Sequence, residues 1–168
     1  MVEIIKAYRQ SLGAMRFIGK KYGNEDRVDG MFGAKWGEWF QNGWFDVIEK
    51  QIECPLNETY EDGDAYIGLM RDGHGGPFEY WIGCFMPYGT VAPDGFEYID
   101  FTESNLGVCW LYGKEADVYL KEGECAQRLM DEGFKLIGDW CFERYGCPRF
   151  TTPDEKGNII LDICFFVQ

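Results

Sequence analysis

A nine-residue segment occurs twice in this chain, and that recurrence constrains the fold more than any other feature. Leu12-Gly13-Ala14-Met15-Arg16-Phe17-Ile18-Gly19-Lys20 matches Leu106-Gly107-Val108-Cys109-Trp110-Leu111-Tyr112-Gly113-Lys114 at an offset of 94 residues. Leu, both Gly and Lys are identical, and most other positions stay apolar. Both copies read as short strands closed by Gly. A second echo lies near the end, where Cys84-Phe85 matches Cys164-Phe165 at an offset of 80.

A helical pattern follows each copy. In the first, over about 34–51, Trp36, Trp39, Phe40, Gly43, Val47 and Ile48 fall on one face. In the second, over about 123–145, the stripe is Ala126, Leu129, Met130, Gly133, Ile137, Trp140 and Cys141. Two strand candidates follow each helix. They are Ala65–Met70 and Phe78–Met86 in the first half, and Arg149–Thr152 and Asn158–Val167 in the second. Gly- and Pro-rich connectors between them have hairpin chemistry. Extra strands are predicted at Glu3–Gln10 and Phe96–Phe101, a joint at Pro87–Gly95, and an exposed acidic loop at Glu53–Asp64. The expectation is one α+β domain over residues 1–168, built from duplicated β-α-β-β halves at about 1–87 and 95–168. They would form an antiparallel sheet with two long helices on one face and a ligand cleft between the halves.

Charge narrows the partners. Sixteen Lys and Arg stand against 29 Asp and Glu, a net charge of −13. Phosphate binding needs a basic surface, so direct nucleic-acid binding is excluded and an anionic membrane is disfavoured. Cationic or neutral ligands are favoured. Hydrophobic residues make up 46% and aromatics 17%, enough for a real core and for an aromatic cleft.

Seven Cys occur, at 54, 84, 109, 125, 141, 147 and 164, with no C-x-x-C and a single His. That pattern predicts buried reduced thiols, no metal site and no cofactor. No signal-peptide pattern and no run near ~18 apolar residues is present, so a soluble cytoplasmic protein is expected. His74 in a Gly-rich turn and Asp62-Gly63-Asp64 carry no complete motif. They read as an incidental base and a solvated turn.

Strand alternation selects the site candidates. In the last strand Ile159, Leu161, Ile163, Phe165 and Val167 form an apolar face for the helices. Ile160, Asp162, Cys164 and Phe166 form the other. An ionised Asp is costly to bury unpaired, so the second face should be wet, paired or ligand-facing. The offset of 94 equates Arg16 with Trp110 and Ile18 with Tyr112, and the offset of 80 equates Asp162 with Ile82, beside Tyr80. The ligand-binding candidates are therefore Arg16, Tyr80, Trp110, Tyr112, Asp162 and Phe166. Tyr98 from the intervening strand and Trp36 near a helix start join them. The plainer alternatives are a salt bridge for Asp162, with Arg16 as one partner, and second-face core packing for Trp110 and Tyr112.

The two Leu-Gly…Gly-Lys strands, the Trp-rich first helix, Trp140, and the Phe150…Asp162-Ile163-Cys164-Phe165-Phe166-Val167 ending carry a family likeness. Over nearly its whole length the chain resembles the GyrI-like small-molecule-binding domain. That is the effector-binding domain of AraC- and MerR-type multidrug-sensing transcription activators. The resemblance implies a cleft for bulky, flat, often cationic molecules. With so little sequence before the first strand, it implies the stand-alone form, without a DNA-binding module. Relatives often place a central Glu in the next-to-last strand. Here that strand is read as Arg149-Phe150-Thr151-Thr152, with Glu143 at the preceding helix end and Asp154 in the following turn.

Three functions follow. The first is a binding protein that captures hydrophobic or cationic small molecules in an aromatic cleft. The second is a hydrolase that opens cyclopropane-type electrophiles. It would use Asp162 or Glu143 as base and Tyr112 or Tyr145 as proton donor. The third is an inhibitor of a protein partner such as gyrase. A carboxylate of raised pKa beside a cleft Tyr would favour the enzyme.

Overall fold

Every strand of the computed structural model, which describes residues 1–52 and 61–168, joins one antiparallel sheet. The strands are β1 Glu3–Leu12, β2 Met15–Tyr22, β3 Tyr66–Arg71, β4 Glu79–Pro87, β5 Glu97–Phe101, β6 Ser104–Gly113, β7 Leu136–Tyr145 and β8 Ile159–Val167. The helices are α1 Gly33–Asn42, α2 Trp44–Glu49 and α3 Glu122–Asp131. The strand order is β1-β6-β8-β7-β3-β4-β2-β5. Read from either end, it pairs β1 with β5, β6 with β2, β8 with β4, and β7 with β3. The central pair is therefore β7 beside β3.

The α+β class holds, but the two long helices do not. The first is cut in two by Gly43, which takes the left-handed conformation (φ 65°) and caps α1 through its N–H to the Phe40 and Trp39 carbonyls. Glycine reaches that region without steric cost, so the apolar stripe continues while the helix stops. The second ends at Asp131. Gly133 (φ 93°) donates to the Met130 carbonyl and Phe134 to the Leu129 carbonyl. This pair of bonds is a Schellman stop. Residues 136–145, expected in that helix, instead form β7. The expected strand Arg149–Thr152 is a turn, so the strand before β8 is β7, and it contains Glu143.

Alternation sorts the core. On the helix side, Ile18, Trp39, Phe45, Ile48, Ile82 and Met86 pack under α1 and α2. Cys109, Leu111, Cys125, Leu129, Leu161 and Ile163 pack under α3. The opposite face carries Phe17, Leu69, Trp81, Phe85, Phe142 and Phe166. Leu161 and Ile163 thus face the helix as expected. Ile18, and with it Arg16, also lies on the helix side, whereas Trp110 packs on the other.

The expected acidic loop falls partly on residues 53–60, outside the described residues. Asp62 is not a solvated turn residue, because its side chain is 10% exposed and ion-paired. Cys84, Cys109, Cys125 and Cys164 are buried free thiols, while Cys147 is exposed. Cys54 lies outside the described residues. Among the described residues, no helix is long and apolar enough to cross a membrane.

Candidate functional site

The central strand pair floors a cavity of about 1330 Å³ on the helix side of the sheet. Its walls include Trp36 of α1, Tyr66 of β3, Tyr80 of β4, Tyr119 before α3, Glu122 at its start, and Glu143 and Tyr145 of β7. Cys141, Glu143 and Tyr145 reach it because they alternate with Phe142 and Arg144 along the strand.

Glu143 is the chemical centre. It is 6% exposed, yet it lines the cavity. The Tyr80 hydroxyl donates to its Oε1 at 2.7 Å, and the Trp36 indole N–H donates in turn to the Tyr80 oxygen at 2.9 Å. Tyr145, two residues along β7, stands beside the carboxylate and also favours its charged form. Burial pushes the Glu143 carboxyl up to about 7, against the downward pull of Tyr80 and Tyr145 and with a smaller upward push from Glu122. Both tyrosines are raised well above their ordinary value, first by burial and then by Glu143 beside them. They therefore keep their protons at neutral pH.

Space for this contact comes from Gly68, opposite Glu143 across the β3–β7 ladder. A Cβ there would stand 2.6 Å from both Glu143 Oε1 and the Tyr80 hydroxyl. Glycine lets a carboxylate and a phenol meet over the backbone.

The aromatic walls pack on one another. Tyr145 meets Trp36 edge-on at 4.8 Å between centroids, Phe32 stacks on Tyr80 at 4.2 Å, and Phe45 stacks on Tyr66 at 3.7 Å. Among the described residues, seven of those lining the cavity are acidic and one, Arg27, is basic. No Lys or Arg ion-pairs with Glu143 within the described residues. Such a cavity can hold a large apolar cation, with Glu143 as counter-charge and ring faces as walls. Among the described residues, no cluster of three His, Cys, Asp or Glu could hold a metal.

Of the residues selected from sequence, Trp36, Tyr80, Glu143 and Tyr145 meet here. The others lie elsewhere. Asp162, wholly buried, faces the opposite side and pairs with Arg144 at 2.8 Å and with Arg149. This is the salt-bridge alternative, but with partners other than Arg16. Arg16 pairs with Asp100 at 2.7 Å and lies 4.0 Å over the Tyr98 ring, on the outer strands. The Trp110 indole donates to the Tyr8 hydroxyl at 3.2 Å, and Phe166 stacks on Phe101 at 5.1 Å, both on the opposite face. Tyr112 donates to Asp154 in the turn before β8. Tyr66, Tyr119 and Glu122 were not selected from sequence. No motif marks them, and only the strand and helix starts bring them together.

No protein-family profile and no curated protein matches the sequence. Solved structures do match in fold. SAV2435 bound to tetraphenylphosphonium is 16% identical, with a TM-score of 0.67 over 98% of this chain and 94% of that one. The EcmrR C-terminal domain is 11% identical, with a TM-score of 0.54 over 97% of each chain. A hydrolase encoded by lin2189 from Listeria innocua is 11% identical, with a TM-score of 0.54 over 97% of this chain and 92% of that one. At these identities the likeness is one of fold.

Proposed function

We propose that this chain is a GyrI-like small-molecule-binding protein, a single domain of two related halves. It captures bulky aromatic or cationic compounds in the cavity over β3 and β7. The observation that carries the reading is Glu143, a buried carboxylate on an aromatic floor with two tyrosine hydroxyls and no cationic partner among the described residues. A cation entering the cavity would supply that missing charge. The mirrored strand order supports two related halves. The cation-bound SAV2435 structure supports the ligand class, and the net charge of −13 supports exclusion of nucleic acid and of anionic membranes. A cytoplasmic location goes with this reading.

Titration with tetraphenylphosphonium, followed by quenching of tryptophan fluorescence, tests it. Saturable one-to-one binding is expected, weakened about 10- to 100-fold by Glu143→Gln, the scale of removing one partner of a poorly solvated charge pair. Binding indifferent to that substitution would overturn the reading.

One observation favours a hydrolase as the second reading. A carboxyl pushed up to about 7 beside two protonated phenols is suited to general acid–base work, and one fold neighbour is a hydrolase. Glu143 would then activate water and Tyr145 or Tyr80 would protonate the leaving carbon of a strained ring. Turnover of a cyclopropane electrophile, lost in Glu143→Gln, separates this from capture alone.

A further inference from the structure

Three segments that line the cavity are tied together behind it. Arg144, on the opposite face of β7 from Glu143 and 1% exposed, donates through Nε to Asp162 Oδ2 at 2.8 Å. Arg149, in the turn after β7, donates through Nε to Asp162 Oδ1 at 2.8 Å and through Nη1 to Asp62 Oδ1 at 2.9 Å. Asp62 also lies 3.4 Å from Arg144. Two guanidinium groups and two carboxylates thus balance in the interior. The turn carrying Arg149 also carries Phe150, and the turn carrying Asp62 carries Gly63, and both of these line the cavity.

The cluster reaches Glu143 through Tyr145. Tyr145 lies between Arg144 and Gly146 in the chain, and the Arg149 guanidinium packs on Gly146, where a Cβ would stand 3.1 Å from its central carbon. Phe150, one residue beyond Arg149, meets the Tyr145 ring edge-on at 4.7 Å. The Arg149 carbonyl accepts from Ile160 N–H at 2.9 Å, which pins the turn to β8. The backbone on both sides of Tyr145 and the ring beside it are therefore all keyed to Asp162.

We infer that Asp162 and Arg149 are positioning residues: they hold Phe150 against Tyr145 and so aim the Tyr145 hydroxyl at the Glu143 carboxylate. This rests on Glu143 being the functional acid, but the aiming itself is a property of the free protein. The groups facing Glu143 are Tyr80 from β4, Cys141 and Tyr145 from β7, Tyr119 before α3 and Glu122 at its start. Of these, Tyr145 is the one that meets Phe150, next to Arg149 in the turn.

The test reads Glu143 directly. The carboxyl carbon of Glu143 is followed by NMR against pH in the ligand-free protein, for the wild type, Arg149→Gln, Arg149→Lys, Tyr145→Phe and the Arg149→Gln/Tyr145→Phe pair. Arg149 is chosen because its side chain is partly exposed, so its loss is survivable where Asp162→Asn, at a wholly buried site, is not. Losing a bond to the charged form raises the midpoint, by about one pH unit for one hydrogen bond. Arg149→Gln and Tyr145→Phe are each expected to raise it by that amount. Arg149→Lys, which keeps one ion pair, should fall between, and the double variant should shift no further than either single one. An unmoved midpoint in Arg149→Gln, or shifts that add, overturns the inference. Because this titration uses no ligand, its outcome is independent of whether tetraphenylphosphonium binds, which tests the pocket reading separately.

Discussion

Glu143 titrates near 4.5 in an unfolded chain and near 7 where it is buried. Between those values the folded state holds a proton that the unfolded state has released. Stability therefore falls as pH rises through this window, by about 3 kcal/mol in all. Glu143→Gln removes the titration while leaving an oxygen to accept from Tyr80. It is expected to be more stable than the wild type by about 2–3 kcal/mol at pH 8 and nearly equal to it at pH 4.5. Urea denaturation at the two pH values checks this, and parallel curves for the two proteins would refute the burial argument. The proposed cation capture would have the opposite dependence, because the cation needs the charged form. Affinity for tetraphenylphosphonium is expected to fall about tenfold per pH unit below the Glu143 midpoint and to level off above it. In Glu143→Gln it should be flat, as fluorescence titration across pH 5–9 would show.

At the scale of elements, the site depends on β7, and β7 was the element hardest to read. Ile137, Trp140 and Cys141 repeat at three and four residues, which is helical spacing, and they follow a true helix directly. The signal against it was Gly133, counted within the stripe although it ends α3. With β7 read as helix, Glu143 fell at a helix end and its partner Tyr80 across the sheet was invisible. The strand echoes misled in another way. Both offsets, 94 and 80, match composition but cross faces: Ile18 and Cys84 lie on the helix side, whereas Trp110 and Cys164 lie on the other. A one-residue slip in a strand comparison exchanges its two faces. That slip grouped Arg16 and Tyr80 with Asp162. Alternation within a single strand, which needs no alignment, placed Leu161 and Asp162 on their correct faces. The β3–β7 ladder yields its own prediction. Gly68→Ala would force a methyl within 2.6 Å of Glu143 and Tyr80, whose side chains can yield. It should cost about 1–3 kcal/mol and weaken cation binding at least tenfold. Gly83→Ala meets backbone instead, 2.0 Å from the Ile18 carbonyl oxygen, which cannot yield. It should cost about 3 kcal/mol or more. Denaturant midpoints for both rank the two sites, and a Gly68→Ala protein that binds normally would remove the close approach from the site's design.

At the scale of the whole molecule, the proposed capture would have charge and cavity act on the same ligand at different distances. With 29 acidic side chains against 16 basic ones, a net charge of −13, the protein's field draws cations from several ångströms out. Along the cavity lining the imbalance is steeper, with seven acidic residues to Arg27 among those described. Long-range attraction is screened by salt, with a Debye length of about 30 Å at 0.01 M and about 8 Å at 0.15 M. A contact between a bound cation and Glu143 would be shorter than either length and would be shielded by Trp36, Tyr80 and Tyr145. Raising ionic strength between those limits should therefore slow association several-fold and leave dissociation within about twofold. Stopped-flow quenching of tryptophan by tetraphenylphosphonium separates the two rates. A neutral aromatic of similar size should show no salt dependence in either. If association is indifferent to salt, the acidic surface plays no part in capture, and its charge serves solubility alone.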